Sequence, residues 1–212
     1  GVEGVERADP YIIMFSGLLS PDGHLESVVV VGAEPLSPMG QAWVMAEGDA
    51  QHLGRPDAIL VDVNDRSKLG NCQVGDVREI NRQRAHIVGF TDGIVSFTTS
   101  PYVFTTLERA RRYVFAMPPD HCSFYLVKAR PGTDVADLVR RIQRAVPDLD
   151  VYDRDSYSFQ AMWFWLTRTG IGISFGLAAV LGLLVGLAVV AQTLYAAVSE
   201  RLKEFATLKA LG

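Results

Sequence analysis

Residues 169–198 read TGIGISFGLAAVLGLLVGLAVVAQTLYAAV, a run in which Tyr195 has the only ionisable side chain. About 20 apolar residues in a helix cross the hydrocarbon core of a bilayer, and this run is longer. Because lipid offers no hydrogen bonds to the backbone, a single span of this length must be helical. The run therefore predicts a transmembrane helix. The alternative is the buried core helix of a soluble protein.

The residues around and within the run indicate its neighbours. An aromatic segment containing Trp163 and Trp165 precedes it, and such rings collect at the membrane interface, although packing beneath a soluble domain is the alternative. We predict interface aromatics and the transmembrane helix over 163–198, in contact with the lipid bilayer. Two glycine pairs have the GxxxG spacing that lets helices approach closely: Gly172 with Gly176, and Gly182 with Gly186.

In the segment 199–212 charged residues are interspersed with apolar residues, and this pattern predicts a short amphipathic helix. It holds one more basic residue than the last stretch before the span, so the positive-inside rule places it in the cytoplasm. The domain before the span then lies outside the cytoplasm. The net charge of −4 argues against nucleic acid as a partner. Since no initiator Met begins the sequence, we expect an internal piece of a longer protein.

Before the span, the pattern is that of an α+β domain. Segment 134–146 has one apolar stripe at helical spacing, and 149–152 follows it as a strand, which predicts a β-α-β unit with parallel strands. Thr105 and Glu108 have the spacing of a capping box, ahead of a helix with a basic face. Six further strands are predicted by apolar runs between turn residues: 11–15, 24–33, 58–61, 77–80, 85–90 and 123–129.

No constellation of catalytic or metal-binding residues is present in the sequence. The four histidines are scattered, and there is no phosphate-binding loop. Residues 62–65 begin like a calcium loop, but Arg66 occupies a ligand position, so we interpret them as a solvated helix start. We predict no catalytic residue, no metal and no cofactor. Cys72 and Cys122 predict either a disulfide or two free thiols.

The residues QTLY at 192–195 and ERLKEFATLKALG at 200–212 resemble the FtsX-like and MacB-like permease family of ABC transporters. Within that family the tail is most similar to the DevC-type exporter permeases. The resemblance is specific over about twenty residues and extends more loosely upstream. Four upstream segments fit the MacB-like periplasmic core: 68–70, 74–76, 87–90 and 101–105.

The resemblance implies a periplasmic α+β domain over 1–162, one transmembrane helix and a cytoplasmic coupling segment over 199–212. The domain would divide into a porter-like β-α-β portion, 1–33 with 122–157, and an inserted, mainly β lobe, 34–121. The protein would lie in the bacterial inner membrane, with the large domain periplasmic. Six residues would contact the ATPase: Glu200, Arg201, Lys203, Glu204, Leu208 and Leu211.

The implied function is that of a non-catalytic permease subunit. A separate cytoplasmic ATPase would hydrolyse ATP, and the permease would transmit the resulting movement to the periplasmic domain to drive efflux. The implied partners are that ATPase, a second permease copy and a periplasmic membrane-fusion adaptor. Two alternatives within the family are an FtsX-type regulator of a cell-wall hydrolase and a lipoprotein-release permease. An enzyme domain on a single anchor is a further alternative.

Overall fold

The computed structural model describes residues 2–35, 37–95, 100–115, 117–118, 120–168 and 170–210, with side chains for all of these except 171, 202–205, 207, 208 and 210. The chain divides into two compact units, Gly1–Asp134 and Val135–Gly212. The α+β class predicted from the sequence is confirmed. The division of residues 1–162 into a porter-like portion and a lobe stays a prediction.

The first unit is mainly β. Its strands are β1 (Val5–Leu19), β2 (Leu25–Ala33), β3 (Met45–Gly48), β4 (Ala58–Asp62), β5 (Val77–Ile80), β6 (Gln83–Thr91), β7 (Tyr102–Thr106) and β8 (Phe124–Ala129), with helix α1 (Leu107–Tyr113) after β7. Two short 3-10 helices, Ala50–Gly54 and Val63–Asp65, connect the strands. The second unit contains α2 (Val135–Ala145), α3 (Arg154–Arg168) and α4 (Ile171–Ala210).

Six strands of the first unit close into a hydrogen-bonded ring. Their order is β1, β2, β7, β4, β6 and β5, and β5 pairs again with β1. The β1–β2 hairpin turns through residues 21–23, as the sequence predicts. The fifteen-residue strand β1 makes this closure possible, because its first half pairs with β8 and its second half with β2 and β5.

The inner strands are buried on both faces. Val28 and Val30 belong to one apolar cluster, whereas Val29 and Val31 belong to a second cluster. Strands covered on both sides read as continuous apolar runs, which explains the four consecutive valines of β2. Each fully buried valine contributes about 1.5–3 kcal/mol relative to an exposed one. These two clusters are therefore the main source of stability in the first unit.

Helix α1 packs onto β2 at a glycine. A Cβ built on Gly32 would lie 2.3 Å from the Cβ of Ala110, closer than any real contact between carbon atoms. Ala110 is fully buried, so the helix cannot move away without exposing the apolar residues on either side of it. The absence of a side chain at Gly32 thus sets the distance between α1 and the sheet.

We expect Gly32→Ala to lower the free energy of unfolding by about 1–3 kcal/mol, because the added methyl group overpacks a closed interface. Urea unfolding of the chain in mild detergent, followed by far-UV circular dichroism, measures this change. The matched control is Gly54→Ala, where a Cβ would meet nothing within 4 Å. Equal stabilities of the two variants would contradict the role assigned to Gly32.

The predicted capping box of α1 is wrong. Thr106, not Thr105, is the N-cap residue, and it makes no side-chain cap hydrogen bond. The hydroxyl of Thr105 donates instead to the carbonyl of Ala58, 47 residues away in sequence. Glu108 pairs with Arg112 one turn later. The Thr105 side chain, which local spacing assigns to the cap, is therefore used in a long-range hydrogen bond instead.

The predicted strand over 149–152 is also not formed, so the β-α-β unit lacks its second strand. The Gln143 side chain donates to the carbonyl of Leu149 and accepts from the amide of Val151. These two hydrogen bonds hold the backbone of residues 149–151 against the end of α2. The backbone groups that a neighbouring strand would bind are therefore bonded to Gln143. The helix predicted over 134–146 is confirmed as α2.

Residues 62–65 form a helix start, as predicted, but it is not solvated. Asp62 caps the 3-10 helix Val63–Asp65 by accepting a hydrogen bond from the amide of Asn64. The Asp62 side chain is fully buried, and Asp65 is also buried. The two carboxylates are structural parts of the fold, because each has its hydrogen-bond or ion-pair partners within the domain.

Candidate functional site

The apolar segment of α4 is the first candidate site. Gly172–Arg201 is a helix long and apolar enough to cross a membrane, with a mean hydropathy of 2.6 and none of its most apolar window buried. Large apolar side chains are exposed along its length, such as Phe175, Leu183 and Val190. This exposure excludes the core-helix alternative for the described chain. Because these apolar side chains would be unfavourably exposed to water, the segment has to be surrounded by lipid or by other apolar helices.

The four predicted packing glycines divide into two kinds. A Cβ on Gly172 would lie 1.9 Å from the carbonyl oxygen of Leu166, so Gly172 is required where the end of α3 meets the start of α4. Gly170, just before it, has a positive φ of 72°. Gly176, Gly182 and Gly186 have nothing within 4 Å of a built Cβ. These three leave an open surface on α4, and their role in helix packing stays a prediction.

The tail continues α4 without a break to Ala210. The predicted amphipathic helix and the transmembrane helix are therefore one element of 40 residues, about 60 Å long at 1.5 Å per residue. Glu200 and Arg201 are exposed at the end of the apolar segment. The side chains of Lys203, Glu204 and Leu208, and the whole of Leu211, lie outside the described residues.

The predicted interface aromatics lie on α3, which has no buried residue. Trp163 is 58% exposed and Trp165 is 37% exposed. The ring of Phe159 stacks on Trp163, and Phe164 contacts Trp165 edge to face. The exposed rings form an aromatic surface immediately before α4. Their contact with the membrane interface stays a prediction.

Both cysteines are free thiols in the structure, so the disulfide alternative is not formed. Cys72 is buried in the first apolar cluster, and burial raises the pKa of its thiol. Cys122 hydrogen-bonds to Tyr125, and this interaction raises the pKa of the Tyr125 hydroxyl. Cys122 packs against the same apolar cluster as Cys72, but the two sulfurs are not bonded to each other.

The sequence indicates the basic face of α1 but not the residues from other elements that form clefts beside it. Two neighbouring clefts share Arg109 of this helix. The larger, of about 500 Å³, also contains Glu34, Arg55 and Glu108. The smaller, of about 280 Å³, is lined by Arg82 and Arg84 of the β5–β6 hairpin together with Asp57, Gln83, Arg112 and Tyr113. The residues that line the smaller cleft are not adjacent in the sequence, because they come from three distant segments. The sequence pattern therefore could not predict this cleft.

Among the described residues, no group of three or more His, Cys, Asp or Glu side chains is placed to hold a metal ion. The buried carboxylates have partners inside the domain: the Asp62 side chain accepts from the Thr91 hydroxyl at 2.9 Å and from the Ile94 amide at 2.8 Å. Asp65 forms an ion pair with Lys68 through Oδ1, while its buried Oδ2 has no hydrogen-bond partner among the described residues. These groups stabilise the first unit and leave the surfaces described above as the candidates for function.

Comparison with known proteins gives a family and a fold. The family model of the MacB-like periplasmic core domain matches residues 1–145. The extracellular domain of the noncanonic ABC-type transporter YknZ from Gram-positive bacteria is similar, with a TM-score of 0.51 and 11% identity, over 70% of this chain and 78% of that chain. No curated protein matches the sequence.

A second similar structure is the periplasmic region of MacB from Actinobacillus actinomycetemcomitans. Its TM-score is 0.51 and its identity 10%, over 76% of this chain and 76% of that chain. At identities this low, the two structures show a shared fold, and the family is shown by the match over residues 1–145.

Proposed function

The chain belongs to the family of MacB-like periplasmic core domains, and from this membership we propose that it is a permease subunit of an ABC exporter. The observation that carries the proposal is an arrangement within one chain. The matched region, 1–145, is followed by an exposed apolar helix over Gly172–Arg201 that is long enough to span a bilayer. The two similar structures, the extracellular domain of the transporter YknZ and the periplasmic region of MacB, support the proposal through their fold.

We place the sheet domain in the periplasm and the tail in the cytoplasm, across the bacterial inner membrane. In this orientation the end of α4 that bears Glu200 and Arg201 meets a separate ATPase subunit. Both side chains are exposed, so they are accessible to a partner. A second permease copy would cover the open glycine surface of α4. A periplasmic adaptor is the third proposed partner.

The continuity of α4 suggests how movement is transmitted. A helix is a stiff element, and α4 runs from Ile171 to Ala210 without interruption. A displacement of its cytoplasmic end by the ATPase therefore moves the whole helix, including the end that begins beside α3. We propose that the chain itself performs no chemistry and that ATP hydrolysis on the partner drives a periplasmic conformational change by this route, for efflux of the transported substrate.

The test is the double substitution Glu204→Ala with Leu208→Ala in the complete permease, reconstituted with its ATPase in liposomes. We expect stimulated ATP hydrolysis to fall about tenfold, the effect of losing a central interface contact. Substrate export should fall in parallel. Glu79→Ala, an exposed glutamate of the sheet domain, is the matched control and should retain both activities. Unchanged hydrolysis and export in the double variant would refute the proposed coupling segment.

A further inference from the structure

The smaller of the two clefts beside α1 concentrates positive charge. We call it the arginine cleft and define it by Asp57, Arg82, Arg84, Arg109, Arg112 and Tyr113. Four arginine residues therefore line one cleft of about 280 Å³ together with a single acidic residue. Arginines at this density repel one another unless an anion lies between them.

The fold fixes the arginine cleft through hydrogen bonds that leave most of the guanidinium groups available. The β5–β6 hairpin turns at Asn81 and Arg82, with positive φ angles of 47° and 61°. The Asn81 side chain donates to the carbonyl of Arg112 at 3.2 Å. The Tyr113 hydroxyl donates to the carbonyl of Arg84 at 2.7 Å. Two separate bonds thus tie the hairpin to the end of α1 and bring the arginines of both elements together.

Burial raises the pKa of Tyr113 to about 12, so its hydroxyl keeps its proton and remains a donor to Arg84 at any physiological pH. Tyr113 is almost completely buried, with an exposed fraction of 1%. The link between hairpin and helix is therefore a permanent part of the core rather than a surface contact. This geometry makes the arginine cleft a preformed feature of the first unit.

The charges in the arginine cleft are only partly neutralised, because Arg84 and Arg112 have ion-pair partners. The carboxylate of Asp57 lies 3.8 Å from the Arg84 side-chain nitrogen, too far for a hydrogen bond. Arg112 pairs with Glu108, which is exposed outside the cleft. Arg109 interacts with the Tyr113 hydroxyl, but its Nε is buried and has no hydrogen-bond partner among the described residues. A buried donor without a partner is unfavourable, and an oxyanion that reaches the Nε would satisfy it.

We propose that the arginine cleft binds a phosphoryl group. The planar fork of arginine matches phosphate oxygens in bidentate geometry, and a dianion with three terminal oxygens satisfies several guanidinium groups at once. A carboxylate, with one charge and two oxygens, would satisfy fewer of these donors than a phosphoryl group. The cavity admits a phosphoryl group with one small substituent, from a soluble phosphomonoester or from a lipid headgroup. This proposal does not depend on coupling to an ATPase.

The test is isothermal titration calorimetry of the full chain in a non-ionic detergent at low salt, with inorganic phosphate as the first probe. We expect saturable binding that weakens at least tenfold in Arg109→Gln and in Arg84→Gln, the effect of losing one charged hydrogen bond. Arg130→Gln, an exposed arginine of the same unit outside the cleft, should bind like the unmodified chain. Circular dichroism verifies that each variant is folded.

If Arg109→Gln does not fold, the double variant Arg82→Gln with Arg84→Gln replaces it, because both residues are exposed. Glycerol 3-phosphate and dihexanoyl phosphatidic acid then distinguish the two sources. Tighter binding of the lipid assigns a headgroup, and equal binding assigns a soluble phosphomonoester. No binding of any probe, or equal binding by the cleft variants and Arg130→Gln, would overturn the proposal.

Discussion

Replacing Asp62 with alanine is expected to lower the free energy of unfolding of the first unit by about 3–5 kcal/mol. The side chain is fully buried at the end of β4. It accepts hydrogen bonds from the amide of Asn64, the amide of Ile94 and the hydroxyl of Thr91. Truncation leaves buried donors without acceptors, and each costs about 1–3 kcal/mol. It also releases the loop after β6, which Asp62 holds through Ile94.

The same carboxylate makes stability depend on pH. Burial by itself would raise the pKa of Asp62, but the hydrogen bonds from Asn64, Ile94 and Thr91 outweigh it and hold the pKa below the usual value. The pKa of the unfolded chain is about 3.9. The stabilisation is therefore fully present above about pH 3.9 and decreases as the pH falls from there through the pKa of the folded state.

Urea unfolding between pH 3 and pH 7 measures both effects. Asp62→Asn keeps the shape and one acceptor oxygen but cannot ionise, so we expect it to lose less stability than Asp62→Ala. The stability difference between the unmodified chain and Asp62→Asn should shrink below about pH 4. Asp92→Ala, an exposed aspartate one residue after β6, is the control and should change stability by less than about 0.5 kcal/mol. A pH-independent difference would contradict the assignment of Asp62 as the titrating group.

Local patterns predict most strands of the first unit, because burial on both faces leaves continuous apolar runs in the sequence. The valines of β2 are the clearest case. The closure of the ring is not predictable in this way, since it depends on β1 pairing with three partners along its length. The errors at Thr105 and at residues 149–152 have the same origin. In each case a side chain, Thr105 or Gln143, makes a contact that periodicity does not encode.

The candidate sites also differ in how far the sequence alone predicts them. The apolar segment of α4 is contiguous in sequence, so its length and exposure follow directly from composition. The arginine cleft is not contiguous: Asp57, Arg84 and Arg109 come from three elements of the first unit. The basic face of α1 is visible as a sequence pattern. The hairpin arginines lie beside that face only because Asn81 and Tyr113 hydrogen-bond the hairpin to the helix.

Phe90→Ala is the second substitution with a large expected effect, a loss of about 3–5 kcal/mol in the free energy of unfolding. Phe90 is completely buried in the first apolar cluster, on the strand that pairs with β3, β4 and β5. The Arg66 guanidinium carbon lies 3.8 Å from the centre of the Phe90 ring, and Arg66 also pairs with Glu47. The ring therefore contributes both apolar packing and an acceptor surface for a partly buried cation.

A double-mutant cycle separates these two contributions. Phe90→Leu retains most of the apolar volume but has no aromatic face, so we expect it to lose less stability than Phe90→Ala. Arg66→Gln should cost about 0.5–1 kcal/mol more in the unmodified chain than in the Phe90→Leu background, because only the aromatic ring attracts the cation. If Arg66→Gln has the same effect in both backgrounds, the guanidinium contributes through Glu47 alone, and the loss at Phe90 is entirely one of packing.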